Sequence, residues 1–359
     1  MSYPSLIVFL LCTAVSVAQS TREWGVEARY KLGFLAAHRG VMGHLATEHA
    51  MAGELTWFNQ TKGSRQWHES AGFPITGVTL FGGTVGNREL LGSYWGAYGF
   101  IELPFVRTRG FEFSGKLGSG LGYGTKVFDQ ELNPKNVAMS SHINALICVG
   151  LKSSIRFERN SITLGVDMTH FSNGASKVPN LGVNLPYLSV GYARVVRMKQ
   201  FDSIPSANVV PLKKWLINLT GIISLKEVFP TEGPKYPVYA LNSSMRWFSR
   251  PKVGMEYGLD LISKQSIMGY RPEIVKSQWD IFQIGLYGAY LLPLDRFHFA
   301  LGMGVYVKDK YQPEDFLYHR ISMRYYLKNG LNLNVGLKSH WARADYVEWG
   351  LGYTLNFRK

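Results

Sequence analysis

The chain has 359 residues, 46% of them hydrophobic and 14% aromatic, and its formal net charge is +14. This length is sufficient for one large domain or two ordinary ones. The basic residues are spread along the chain and form no single block, which argues against a nucleic-acid-binding protein. An anionic lipid surface is the partner that this charge favours.

The first residues have the composition of a secretory signal peptide. The sequence is apolar from Leu6 to about Val17, and small residues stand at Ser16 and Ala18, where a cleavage site requires them. We therefore expect residues 1–18 to be removed on export, which gives a second reason to expect no nucleic-acid partner. Of the two cysteines only Cys148 would then remain, so no internal disulfide is predicted.

Beyond this segment the chain is dominated by alternation of apolar and polar residues. In residues 24–34 every second residue is apolar, and the residues between are charged or glycine. Residues 331–338 repeat the pattern with leucine and valine against asparagine, glycine and lysine. Alternation of this kind is typical of strands whose two faces meet different surroundings. No later segment reaches the length of about 18 consecutive apolar residues that a transmembrane helix needs.

In chain order the alternation predicts sixteen strands, at residues 24–35, 50–58, 75–84, 91–105, 111–123, 142–157, 161–172, 186–198, 214–226, 237–249, 252–264, 277–291, 296–308, 316–327, 331–340 and 344–357.

A soluble β-sandwich would show the same alternation, but three further features favour an outer-membrane barrel. Many of the predicted strands have about ten residues or more, as a tilted membrane-crossing strand requires. Aromatic pairs such as Trp57-Phe58 and Trp247-Phe248 cluster near strand ends, and short and long connections alternate after about residue 214. We therefore predict an all-β fold, a closed antiparallel outer-membrane β-barrel of about sixteen strands. Twelve to sixteen strands are compatible with the pattern. We expect residues 19–359 to form a single transmembrane barrel domain.

The predicted strand at 161–172 ends in an unusual way. Ile162, Leu164, Val166 and Met168 lie on its apolar face, and the same parity continues to His170 and Ser172. A histidine next to a hydroxyl is the minimal pair of base and nucleophile for acyl transfer. Its position at the end of a lipid-facing surface predicts a substrate with acyl chains.

The residues around this pair resemble the signature of the lipid A 3-O-deacylases. His170-Phe171-Ser172-Asn173 matches the His-x-Ser-Asn that ends a strand in that family, and residues 180–184 match the Asn-x-Gly-x-Glu loop up to its last position. The match covers about residues 160–195, and the length is similar to that of a larger, acyloxyacyl hydrolase-like branch. The resemblance implies that Ser172 is the nucleophile and His170 the general base. It also implies an oxyanion hole formed by Asn173 and nearby backbone N–H groups, including that of Gly174.

The sequence departs from the family at the third member of the triad, because Asn184 stands where the family has glutamate. An amide oxygen can accept the imidazole Nδ1–H, but it supplies no charge to stabilise the imidazolium. Asp167 is near in sequence, but its parity predicts that it faces the barrel interior. A carboxylate from another strand or loop therefore remains an alternative to Asn184.

The resemblance and the residues together predict a carboxylic ester hydrolase that removes an acyl chain from lipid A of lipopolysaccharide in the bacterial outer membrane. No cofactor or metal is expected. Lys177, Arg194 and Arg197 flank the two strands of the site, and we expect them to bind lipid phosphates. The alternative is a homologue without catalytic activity that serves as a structural envelope barrel or a channel.

Overall fold

The structure is a computed structural model, which describes residues 23–63, 65–197, 215–228, 230–251, 253–273, 275–311, 315–341 and 343–355. The expected signal peptide, residues 1–18, lies outside the described residues. Short helices are a 3-10 helix at Gly40–Leu45 and two α-helices, α1 (Gln66–Ser70) and α2 (Ser266–Tyr270). In the part of the chain that the structure describes, no helix combines the length and the apolar character needed to cross a membrane.

In the described residues, sixteen strands account for nearly all of the regular structure, which confirms the predicted all-β fold. They are β1 (Glu23–Phe34), β2 (His49–Gln60), β3 (Ile75–Thr84), β4 (Ser93–Arg107), β5 (Phe111–Gly124), β6 (Ile143–Phe157), β7 (Asn160–Ser172), β8 (Val183–Arg197), β9 (Trp215–Glu227), β10 (Lys235–Arg250), β11 (Val253–Lys264), β12 (Phe282–Leu294), β13 (Phe297–Lys308), β14 (Leu317–Tyr326), β15 (Leu331–His340) and β16 (Arg343–Leu355).

The strands close as two antiparallel barrels, which corrects the prediction of a single barrel domain over residues 19–359. Strands β1–β8 form the first barrel and strands β9–β16 the second. The chain divides into two compact units accordingly: the first ends at Asn173 and resumes from Leu181 to Ala207, and the second comprises residues 174–180 and 208–359.

The cause of the division is the pairing of the strands at the middle of the chain. On one edge β8 pairs with β7, and on its other edge it pairs with β1, where Tyr30 lies opposite Val190. Likewise β9 pairs with both β10 and β16, with Leu219 opposite Tyr353. Each strand has only two edges, so each ring closes after eight strands.

Both barrels carry apolar residues on the outside and charged residues on the inside. On β1 the outward side chains of Tyr30 and Leu32 are 51% and 46% exposed, whereas the inward Lys31 is fully buried. The same alternation continues around each ring, with outward residues such as Leu188 and Leu301 exposed. A closed barrel with an apolar exterior is the arrangement of outer-membrane proteins.

The interior of the first barrel is filled by a network of ion pairs. Lys31 Nζ lies 2.7 Å from Asp167 Oδ1 and 3.1 Å from Glu54 Oε1. Tyr98 donates a hydrogen bond of 2.6 Å to the same Glu54 oxygen. Another pair in the same interior joins Lys152 and Glu102, with 2.5 Å between Lys152 Nζ and Glu102 Oε2. Eight strands leave an interior just wide enough for side chains, and here paired charges occupy it.

The second barrel is filled in the same way by a different set of residues. Arg320 lies between two carboxylates, 2.8 Å from Asp260 and 2.9 Å from Glu348. Arg324 binds Glu256 through both of its terminal nitrogens. The gap beside Arg320, Arg324 and Glu348 has no volume that a water molecule could occupy. The interior of this barrel is therefore a packed polar core.

Candidate functional site

The candidate nucleophile and base lie at the end of β7, on the outer face of the first barrel. Met168, two residues before His170 on that face, is 41% exposed, while His170 is half-buried and Ser172 is 5% exposed. Phe171, of opposite parity, points into the barrel and packs against the rings of Phe81 and Tyr94. This inward anchor holds the strand end, and by alternation His170 and Ser172 lie on the other, outer side of β7, where Ser172 is covered.

The pairing of β7 with β8 brings His170 and Asn184 together. The two residues are direct partners in the register, and the Asn184 Oδ1 atom lies 2.6 Å from His170 Nδ1. The imidazole therefore donates its Nδ1–H to the amide oxygen, and its Nε2 keeps a lone pair for accepting a proton. Asp167 faces the interior, where it binds Lys31, as its parity predicts. Among the predicted site residues, Asn184 is thus the partner of the histidine.

Gly182 has a steric role in the loop before Asn184. Its φ angle is +79°, and a Cβ atom at this position would lie 2.9 Å from His170 Cε1. Its backbone N–H donates to the carbonyl of Ala138 at 2.9 Å. Only glycine adopts such a backbone without strain and also leaves room for the imidazole ring. The loop before β8 therefore packs directly against the base.

Asn173 connects the end of β7 to the long connection between β5 and β6. Its Nδ2 atom lies 3.2 Å from Ser140 Oγ and 2.9 Å from Ser141 Oγ. The amide nitrogen therefore holds the connection in place. Gly174, with a φ angle of +63°, begins the segment that belongs to the second unit. An oxyanion role for Asn173 and Gly174 stays a prediction.

The three predicted phosphate-binding residues lie on different segments of the chain. Arg194 is opposite Asn160 at the start of β7, and Arg197 lies three residues further along β8. Ten residues separate Arg194 from Asn184, which corresponds to roughly 33 Å along a strand. Both arginines are therefore at the opposite end of the strand pair from Ser172, and their binding of lipid phosphates stays a prediction. Lys177 belongs to the second unit, where its ammonium lies 3.4 Å from Glu232.

The structure adds His38, a residue that the sequence analysis does not identify. It lies in the connection that follows β1, and its Nδ1 atom is 3.0 Å from Asn184 Nδ2. The same connection is attached to β8 by a hydrogen bond of 2.9 Å from Ala36 N–H to the Asn184 carbonyl. No pattern in the sequence identifies this residue, because its contact depends on the pairing of β8 with β1.

These observations define a class of protein: a β-barrel protein in which a hydrogen-bonded His–Asn pair lies at the end of a strand, two residues from a serine. Among the described residues, no group of His, Cys, Asp or Glu side chains is placed to hold a metal ion. Comparison with known families agrees with this class. Residues 44–193 match the family described as lipid A 3-O-deacylase (PagL), and residues 215–358 match the acyloxyacyl hydrolase C-terminal domain (PagL_C). The two matches cover most of the chain, which belongs to the PagL family.

Comparisons with single proteins give much weaker likeness. A mutant porin of Rh. blastica is 9% identical, covering 93% of this chain and 100% of its own, with a TM-score of 0.21. The KdgM porin is 7% identical, covering 93% and 99%, with a TM-score of 0.19. Omp33 of Acinetobacter baumannii is 6% identical, covering 94% and 100%, with a TM-score of 0.18. No curated protein sequence matches the chain.

Proposed function

We propose that this protein is an outer-membrane serine esterase that removes an ester-linked acyl chain from lipid A. The observation that carries the proposal is the geometry at the end of β7. His170 is bonded to Asn184 and shares the outer face of the strand with Ser172. Membership of a family described as lipid A 3-O-deacylases supports the choice of substrate.

The proposed reaction has two steps, and in both the base is His170. Ser172 Oγ attacks the acyl carbonyl carbon while His170 Nε2 takes the hydroxyl proton. The bond between the acyl carbon and the sugar oxygen then breaks, and the imidazolium gives its proton to this leaving oxygen. A water molecule, activated by the same nitrogen, hydrolyses the acyl-enzyme and releases the fatty acid. Asn184 keeps the imidazole in the required tautomer throughout.

The position of the site accounts for the substrate class. Ser172 and His170 continue the row of Ile162, Leu164, Val166 and Met168, four outward side chains that are each at least 41% exposed. An acyl chain in the adjacent leaflet can lie along this row with its ester at the polar end of the strand. With the amino terminus on the periplasmic side, the end of β7 is at the outer leaflet, where lipid A is located. Lys177 remains a predicted ligand of the lipid phosphates.

The packed interiors disfavour the alternative of a channel. In the first barrel the buried Lys31 contacts Asp167 and Glu54, and in the second the buried Arg320 contacts Asp260 and Glu348. A water-filled lumen requires a wider ring than eight strands. The alternative that stays open to experiment is a barrel that retains the fold but has lost hydrolysis.

The test is mass spectrometry of lipid A from bacteria with and without the protein, together with fatty-acid release by the purified protein. Ser172→Ala and His170→Ala should each abolish release, and both variants should still migrate as folded barrels on unheated gels. Ser153→Ala is the matched control, because Ser153 lies on the outer face of β6 opposite Leu164, six residues along β7 from His170. If the wild-type protein releases no fatty acid from any lipopolysaccharide, the esterase proposal fails and the homologue without activity is the correct interpretation.

A further inference from the structure

We propose that His38 is a positioning residue that sets the orientation of the Asn184 amide and, through it, the tautomer of His170. This inference rests on the proposed esterase function, which it extends to a fourth side chain. The chain of contacts is short and continuous. His38 Nδ1 lies 3.0 Å from Asn184 Nδ2, and Asn184 Oδ1 lies 2.6 Å from His170 Nδ1.

The need for such a residue follows from the chemistry of a primary amide. One end of the Asn184 side chain accepts hydrogen bonds and the other end donates them. With the oxygen toward His170, the imidazole carries its proton on Nδ1 and Nε2 can act as base. A half-turn of the amide would place the NH2 group against Nδ1, the proton would move to Nε2, and the base would be lost. Glutamate has two equivalent oxygens, so it presents an acceptor to His170 in either orientation.

His38 removes this ambiguity by accepting from the amide nitrogen. An acceptor at position 38 favours the orientation in which the amide NH2 group points away from His170, which leaves the oxygen toward the imidazole. The backbone fixes the pair in register, because Ala36 donates to the carbonyl of the same Asn184. The asparagine that departs from the family pattern is thus held by a second histidine, on a neighbouring strand connection.

The test replaces His38 by a side chain that can only accept or only donate a hydrogen bond. Each variant is made once with Asn184 and once with glutamate at position 184. His38→Asp places an obligate acceptor near the position of Nδ1, and His38→Lys supplies an obligate donor. With Asn184 in place, fatty-acid release should stay within about threefold of wild type for His38→Asp. It should fall by 10² or more for His38→Lys, toward the roughly 10⁴-fold loss known for a triad histidine in the wrong tautomer. In the Asn184→Glu background the order should reverse, because a lysine can pair with the new carboxylate and an aspartate repels it.

His44→Lys is the matched control, since His44 lies in the following 3-10 helix and its Nε2 atom is 2.8 Å from the Lys135 carbonyl oxygen. This variant should leave release unchanged in both backgrounds. If His38→Asp and His38→Lys rank in the same order of fatty-acid release in both backgrounds, His38 only supports the loop. This result would overturn the inference.

A second measurement separates this inference from the proposed function. The ¹⁵N chemical shifts of the His170 ring, assigned by comparison with His170→Gln, report which nitrogen carries the proton without any turnover. We expect Nδ1–H in the wild type and Nε2–H in His38→Lys. Unchanged shifts would refute the role of His38 even if lipid A is hydrolysed. If the shifts change as expected but the wild type hydrolyses no lipid A, the positioning role of His38 is supported and the proposed esterase function is refuted.

Discussion

At the scale of single residues, the proposed site differs from the family pattern at position 184, the residue that supports the proposed base His170. Asn184 makes the hydrogen bond that a triad requires, at 2.6 Å from His170 Nδ1, but it brings no charge. The histidine therefore has the correct tautomer and lacks electrostatic stabilisation of its protonated form. The proposed esterase is therefore expected to be active, but slower than a family member with glutamate at this position.

Asn184→Glu should raise turnover by about 10- to 100-fold, less than the roughly 10⁴-fold effect of the reverse change in a serine protease. The carboxylate would stabilise the imidazolium that forms as Ser172 loses its proton. The rate of fatty-acid release at saturating lipopolysaccharide measures the effect. A slower variant, with another carboxylate proving essential, would show that Asn184 is not the third member of the triad.

Gly182→Ala should lower turnover by about 10²-fold, the scale on which a displacement of roughly 1 Å affects a catalytic group. The added methyl group would lie 2.9 Å from His170 Cε1 on a backbone with φ of +79°, so the ring has to move. Gly53→Ala is the control, because a Cβ atom there meets nothing within 4 Å. Equal activity of both variants, assayed with lipid A and with the barrel intact on unheated gels, would exclude contact of Gly182 with the base.

At the scale of elements, the site depends on connections as much as on strands. The connection between β5 and β6 reaches the site through the Ala138 carbonyl and through Ser140 and Ser141. It is itself organised by Asn136, a fully buried residue whose amide nitrogen lies near the carbonyls of Leu90 and Lys126.

Asn136→Ala should therefore loosen this connection and reduce esterase activity while both barrels remain folded. Loss of a buried hydrogen-bonding group costs roughly 1–3 kcal/mol, enough to populate open forms of the connection. Limited proteolysis should cut within residues 125–142 faster in the variant than in the wild type. Leu132→Ala is the control, since Leu132 is 88% exposed; a variant cut no faster than this control would contradict the expectation.

The strands were predictable because alternation is a local property. The bounds of β3 and β15 agree with the prediction, and most others differ by one to three residues. The start of β12 is the largest exception, at Phe282 in place of 277. There the Asp280 carboxylate accepts from the backbone N–H groups of Lys276 and Ser277, forming a turn that alternation does not reveal.

The site was predictable only in part, because only some of its residues are close together in the sequence. His170 and Ser172 are neighbours on one strand and Asn184 lies on the next, so a short stretch of sequence contains all three. His38 is 146 residues from Asn184, and a single histidine in a connection has no pattern of its own. Its contact requires that β8 return to β1, which the alternation of residues within strands does not indicate.

At the scale of the whole molecule, the closure into two rings was unpredictable from the same pattern, because alternation reports the faces of a strand and not its partners. Closure has an energetic consequence. Each ring contains its own buried ion pairs, such as Lys31 with Asp167 in the first and Arg324 with Glu256 in the second.

Glu256→Gln should destabilise the second barrel alone. The change leaves Arg324 as a buried charge without its carboxylate, and breaking a buried pair in this way costs roughly 3–5 kcal/mol. Hydrogen exchange followed by mass spectrometry should accelerate in peptides of β9–β16 and stay unchanged in β1–β8. Glu54→Gln should give the opposite pattern. Acceleration in both barrels with either variant would show that the two rings unfold as one.

The outward position of Ser172 and His170 has a consequence for kinetics. An enzyme whose reactive groups lie on its outer wall meets its substrate by lateral diffusion, as one lipid among many that slide past the barrel. The quantity that governs its rate is therefore the mole fraction of lipid A in the leaflet, and the volume of the solution has no influence. Adding inert lipid to vesicles of fixed substrate content slows such an enzyme by surface dilution, whereas adding buffer does not.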